Sequence, residues 1–121
     1  MHSPQGCTAT GRTTRVYAFC SRVTDGGVTV LALNIDSQPT TFEFQATFTM
    51  FPRLEYHLTA PGGNLSSFQV ELNGELLQAS PSGALPAFNP VSVNTASPIT
   101  LQPTSFGFFV FPDANSEACK A

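Results

Sequence analysis

The segment Ser105–Pro112 reads SFGFFVFP, and no other stretch of the chain limits the fold as strongly. In an extended chain, successive side chains point to opposite faces. Phe106, Phe108 and Val110 then share one face, while Gly107, Phe109 and Phe111 share the other. Both faces are apolar. A strand with one wet face alternates apolar with polar residues, so this strand is expected to be covered on both sides. One cover is the protein's own core. The other is either a partner or the chain's own loops, and both readings stand at this point.

Composition leans towards hidden surface. Only 11% of the 121 residues are charged, against about 25% in an average soluble domain. Phenylalanine occurs 11 times and tryptophan never. The length suits one domain with one core. The net charge of −3 and the scattered bases Arg12, Arg15, Arg22, Arg53 and Lys120 argue against nucleic acid as a partner. No apolar run reaches the ~18 residues of a transmembrane helix. The opening MHSPQGCTATGR lacks the apolar centre of a secretory signal, so no signal peptide is expected in this chain.

The order along the chain is that of an all-β protein. Residues 1–14 are small and polar and read as a flexible N-terminal arm; residues 15–121 read as the folded domain. Arg15–Arg22 and Gly27–Ile35 form two β-rich runs around Asp25-Gly26-Gly27, a hairpin signal. Thr40–Thr49 alternates Phe42, Phe44, Ala46 and Phe48 with polar residues. Arg53–Ala60 repeats this pattern, and the alternation predicts Leu54, Tyr56 and Leu58 inward with Glu55, His57 and Thr59 outward. Ser67–Leu72, alternating with Phe68, Val70 and Leu72 inward, the turn Asn73-Gly74 and Glu75–Gln78 read as a hairpin. The proline-rich residues 79–98 read as a loop with brief extended pieces, followed by Ile99–Gln102. Seven to eight short strands with turns between them predict an antiparallel β-sandwich.

Candidate chemistry is sparse. His57 lies beside Glu55 on a strand and reads as a solvated surface histidine. Glu71 and Glu75 flank a hairpin tip, which offers no enclosure to raise one carboxyl pKa as paired-carboxylate catalysis requires. His2, Cys7 and Cys20 match no metal-ligand spacing. No cofactor is implied. Cys20 and Cys119 sit near the two ends of the domain and are either free thiols or a bridge closing a long loop. Asn64-Leu65-Ser66 is a glycosylation acceptor triplet in a predicted turn.

RVYAFC, VTVLALNI, YHLTAP, VELNGELL, LPAF, SFGFFVF and the final EAC occur here in an order that resembles the C-terminal β-sandwich domain of heparanase-like proteins. These are endo-β-glucuronidases of glycoside hydrolase family 79. The resemblance runs from about Arg15 to Cys119. It implies a non-catalytic sandwich that braces a (β/α)8 catalytic barrel and supports folding and secretion of the parent enzyme. The barrel, with its two catalytic glutamates, has no counterpart in this sequence, so no catalytic residue is assigned. Contact with a glycosaminoglycan substrate would then come only through the barrel.

The resemblance also pairs Cys20 with Cys119 and gives Cys7 no role. It implies a secreted, lysosomal or extracellular-matrix location for the parent. Because the family's sandwich takes one strand from ahead of the barrel, an open sheet edge is expected here, with poor solubility of the isolated chain. For the barrel-facing surface the first choice is Phe109 and Phe111, the alternative Phe106 and Phe108. A free-standing secreted carbohydrate-binding or adhesion module is the competing function, and a small enzyme dependent on His57 a third. Against the module, the chain lacks Trp and places Tyr17 and Tyr56 in predicted strands.

Overall fold

A computed structural model describes residues 13–42, 52–94 and 97–121. The expected arm therefore lies outside the described residues, except for Thr13 and Thr14. So does the greater part of the alternating run Thr40–Thr49.

The described residues form nine strands and two short 3-10 turns. In chain order the strands are β1 (Thr14–Cys20), β2 (Val28–Asn34), β3 (Thr40–Phe42), β4 (Arg53–Thr59), β5 (Glu71–Leu72), β6 (Glu75–Leu76), β7 (Val91–Val93), β8 (Ile99–Leu101) and β9 (Ser105–Phe111). All pairings are antiparallel. The larger sheet runs β1-β2-β9-β4-β5-β6, with β7 also on β4; β3 and β8 form a second, two-stranded sheet. The all-β, antiparallel class predicted from the sequence is the class found. The count exceeds seven to eight because the proline-rich loop contributes β7 and several pairings are only two or three residues long.

The Phe-rich β9 is central, with β2 on one side and β4 on the other. Its inner face carries Ser105, Gly107, Phe109 and Phe111, all buried. Val28, Val30 and Ala32 of β2 and Ala18 of β1 join them, and Phe42, Ile99 and Leu101 of the small sheet close over them. Phe109 and Phe111 are 0% and 1% exposed, and the ring of Phe42 meets Phe109 edge-on at 6.1 Å. The expectation that Phe109 and Phe111 face a barrel is thereby corrected. They are the centre of the chain's own core. Burying two such rings supplies roughly 1.5–3 kcal/mol each, which leaves little reason to keep them for a partner.

Asn34, at the end of β2, joins the two sheets. It is fully buried; its Nδ2 donates to the carbonyls of Gln38 (2.9 Å) and Gln102 (3.1 Å), and its Oδ1 accepts the Asp36 amide (3.0 Å). At the opposite end, the C-terminal tail folds back on the β1–β2 turn. Gly26, at φ 81°, donates to the Cys119 carbonyl and accepts the Ser116 amide. The tail is fixed there by the Cys20–Cys119 disulfide, whose Cα atoms lie 5.2 Å apart.

Candidate docking surface

The face of the large sheet turned away from the core is apolar across three strands and part of a fourth. Strand register sets three cross-strand rows. Tyr17, Leu31, Phe108 and Tyr56 align in the middle row. Phe19, Thr29, Val110 and Leu54 flank it on the disulfide side. Arg15, Leu33, Phe106 and Leu58 flank it on the other. Opposed side chains in neighbouring strands lie within contact distance and pack as units. Apart from Arg15 and Thr29, the result is a contiguous apolar sheet face rather than scattered exposed side chains. Tyr17, Phe19 and Phe106 are about 40% exposed at 41%, 40% and 37%, and Leu31, Leu33, Leu54, Tyr56, Leu58, Phe108 and Val110 are half-buried. Among the described residues, the small sheet covers only the opposite, inner face.

A groove of about 440 Å³ runs along this surface. Tyr56, Leu58, Phe108 and Val110 lie along it, and Leu72, Leu77 and Phe88 line it from the hairpin and the proline-rich segment. Asn73 positions that side of the groove. It sits at φ 49° in the two-residue turn with Gly74 at φ 84°, the positive-φ pair that the Asn-Gly dipeptide predicts. Its side chain accepts the His57 amide (2.9 Å) and donates to the carbonyls of Glu55 (3.0 Å) and Asn89 (3.1 Å). One asparagine thus holds the hairpin, β4 and the segment next to Phe88 together. The sequence marks Asn73 as a turn residue; its long-range hydrogen bonds have no local signature.

Strand β4 is turned over relative to the sequence prediction. Because Tyr56 pairs with Phe108, the Leu54–Tyr56–Leu58 row lies on the outer face, and Arg53, Glu55 and His57 lie on the core side. His57 is accordingly half-buried on the core side rather than a freely solvated surface residue. Its ring packs edge-on against Phe109 at 5.3 Å, and its Nε2 lies 2.7 Å from Glu55 Oε1. Arg53 Nε donates to Glu55 Oε2 at 2.6 Å, with the arginine side chain 6% exposed. Burial raises the Glu55 pKa, but hydrogen bonds from His57 and Arg53 and the arginine charge outweigh it, so the carboxyl titrates below the usual glutamate range. Both carboxylate oxygens are committed to fixed partners. This arrangement holds a charge inside a sheet interface and leaves no poised acid.

The remaining candidates are dispersed. Glu71 and Glu75 flank the Asn73-Gly74 turn, opposite Leu76 and Leu72 respectively. Asn64 is exposed, just beyond β4. Among the described residues, no group of three or more His, Cys, Asp or Glu could hold a metal ion, and no helix is long and apolar enough to cross a membrane.

These features define a class: a disulfide-closed antiparallel β-domain with one face packed by its own second sheet and the other largely apolar and, among the described residues, without a covering sheet. No protein-family model matches the chain. Curated proteins do. Over 98 residues the chain is 39% identical to a baicalin-β-D-glucuronidase of Scutellaria baicalensis, a match covering 80% of this chain and 18% of that protein. It is 39% identical over 115 residues to a hyaluronoglucuronidase of Hirudo nipponia, covering 88% and 23%. It is 31% identical over 119 residues to heparanase of Gallus gallus, covering 92% and 22%. The chain is a heparanase-like domain, homologous to one segment of these glycoside hydrolases. It spans only about a fifth of the length of these relatives.

Proposed function

We propose that the chain is the non-catalytic β-sandwich of a heparanase-like glycoside hydrolase, and that its apolar outer face braces a (β/α)8 catalytic barrel. The observation that carries this reading is the three-row apolar face. A lasting interface of standard size buries about 800 Å² on each partner and is more apolar when permanent. A sheet face bearing Tyr17, Phe19, Leu31, Tyr56, Phe106 and Phe108 has the chemistry for it. The short coverage of the relatives supports the same reading, because the rest of each relative is long enough to hold a barrel.

The parent would cut a glucuronide-containing polysaccharide, and this domain would meet substrate only through the barrel. Folding and secretion of the parent would depend on the docked face. The Cys20–Cys119 bridge supports an oxidising destination, secreted or lysosomal.

The test is to place Tyr56→Asp and Phe108→Asp in the full-length gene product and measure secreted yield and glucuronidase activity. Both are expected to fall together, at least tenfold, while the isolated chain carrying the same changes stays folded. Unchanged secretion and activity would overturn the docking role. Turnover of a glucuronide polymer by the purified chain would overturn the non-catalytic assignment. Micromolar glycan binding by the purified chain would replace this reading with that of a free-standing carbohydrate-binding module.

A further inference from the structure

We propose that Asn64 carries an N-linked oligosaccharide, at the end of the sandwich opposite the Cys20–Cys119 bridge. This rests on the secretory destination proposed above. Asn64-Leu65-Ser66 is the single Asn-x-Ser/Thr triplet in the sequence, and all three residues are exposed. Leucine in the middle position permits transfer, where proline would not.

Its setting suits modification of the folded or folding chain. Asn64 follows the 3-10 turn Pro61–Gly63 and has an extended backbone (φ −81°, ψ 97°). The Asn64 amide donates to the Pro61 carbonyl at 3.1 Å, and the Asn64 carbonyl accepts the Ser67 amide at 3.0 Å. The side-chain Oδ1 accepts the Ser66 amide at 3.1 Å. The carboxamide oxygen is thus held towards the hydroxyl-bearing residue of the triplet, and Nδ2 makes no hydrogen bond to the described residues.

Location removes the main objection, a clash with the docked partner. Gly63 and Leu65 border a hollow with Ser37, Thr59, Gln102 and Thr104, none of which belongs to the three apolar rows. In register terms this is the Ser105 end of β9, whereas the disulfide lies at the Phe111 end. A glycan there extends from the sheet's end and leaves the outer face free.

In the transfer, Asn64 Nδ2 forms a bond to the anomeric carbon of a lipid-diphosphate-linked oligosaccharide. The carbon–oxygen bond to the diphosphate breaks, the diphosphate leaves with the electron pair, and one Nδ2 proton is released.

The experiment is translation of the whole chain behind a supplied cleavable signal peptide, with import into microsomes. The expected result is one discrete mass step in the protease-protected product, removed by endoglycosidase H. Asn64→Gln and Ser66→Ala should abolish the step, and Ser66→Thr should keep it. A protected, disulfide-bonded product without the step would overturn the proposal, as would a step that survives Asn64→Gln. Because the signal is supplied, this outcome is independent of the native route. That route is read separately, from whether the full-length gene product reaches the medium under its own leader.

Discussion

The ring of Phe109 lies across Gly107, so that a Cβ at position 107 would sit 2.9 Å from Phe109 Cζ and 3.0 Å from the Tyr56 carbonyl oxygen. The two residues are i and i+2 on the inner face of β9, and the larger takes the space that the smaller leaves. The backbone of β4 closes the same space from the side and cannot retreat without loosening its pairing with β9. Gly107→Ala is therefore expected to destabilise the domain by about 1–3 kcal/mol, the usual cost of overpacking. Urea unfolding of the purified chain measures it, and a midpoint equal to that of the unsubstituted protein would contradict the packing.

The two faces of β9 should respond differently to truncation. Phe109→Ala empties a fully buried site and is expected to cost about 3–5 kcal/mol. Phe106→Ala removes a ring that is 37% exposed and meets Phe108 edge-on at 6.2 Å, and is expected to cost about 1 kcal/mol or less. The same Phe106→Ala change is expected to improve solubility of the isolated chain, since the uncovered face is the association hazard. Denaturant midpoints and the concentration dependence of light scattering separate these effects.

Acid should weaken the domain through Glu55. Its folded-state pKa is depressed below the ordinary value, so its contribution is fully present above the unfolded pKa and is lost as pH falls through the folded one. Stability is expected to decline below the ordinary glutamate range. Glu55→Gln should lower stability at neutral pH, because Arg53 loses its carboxylate partner, and should flatten the acid limb. Asp36 is shifted in the same direction by the Thr13 hydroxyl and the Gln38 amide, and as a half-buried residue at the domain's edge it adds a smaller slope of the same sign. Thermal unfolding followed from pH 7 to pH 3 in both proteins is the measurement.

Removal of the crosslink should cost more than any of the surface changes. Cys20 and Cys119 are 99 positions apart, and closing a loop of that length restrains the unfolded chain by about 4–5 kcal/mol in the chain-entropy account. Paired Cys20→Ser and Cys119→Ser substitutions are expected to lower the urea midpoint accordingly. Release of the tail from the β1–β2 turn should appear as faster hydrogen exchange at the Gly26 and Ser116 amides.

Most strands were legible in the sequence because period-two alternation and turn residues are local signals, but of the expected Ser67–Leu72 strand only Glu71–Leu72 forms and Phe68 is exposed rather than inward. β9 was recognisable as apolar on both faces, though only its Phe109 face is covered by the described residues, and the Asn73-Gly74 turn was recognisable as a positive-φ pair. Which face was which was not legible. Alternation in Arg53–Thr59 says that Leu54, Tyr56 and Leu58 share a side, but only the pairing of Tyr56 with Phe108 says which side. Hydrophobicity placed that row inward, and the fold instead put Arg53, Glu55 and His57 there, stabilised by their mutual contacts. The same ambiguity moved the candidate docking pair from Phe109 and Phe111 to Phe106 and Phe108. The long-range roles of Asn34 and Asn73 were not legible for a related reason. The partners that make them structural lie as far as 68 positions away and leave no trace in the neighbouring residues.

The Cys20–Cys119 bridge has a further consequence for how such a domain wears. Proteases entering at the exposed residues 79–85 would cut the backbone inside the covalent ring, yet both pieces would remain one molecule. Damage of that kind would pass unseen on a non-reducing gel and appear as two bands only after a thiol is added. A domain closed in this way tolerates nicking in a protease-rich surrounding without shedding its parts.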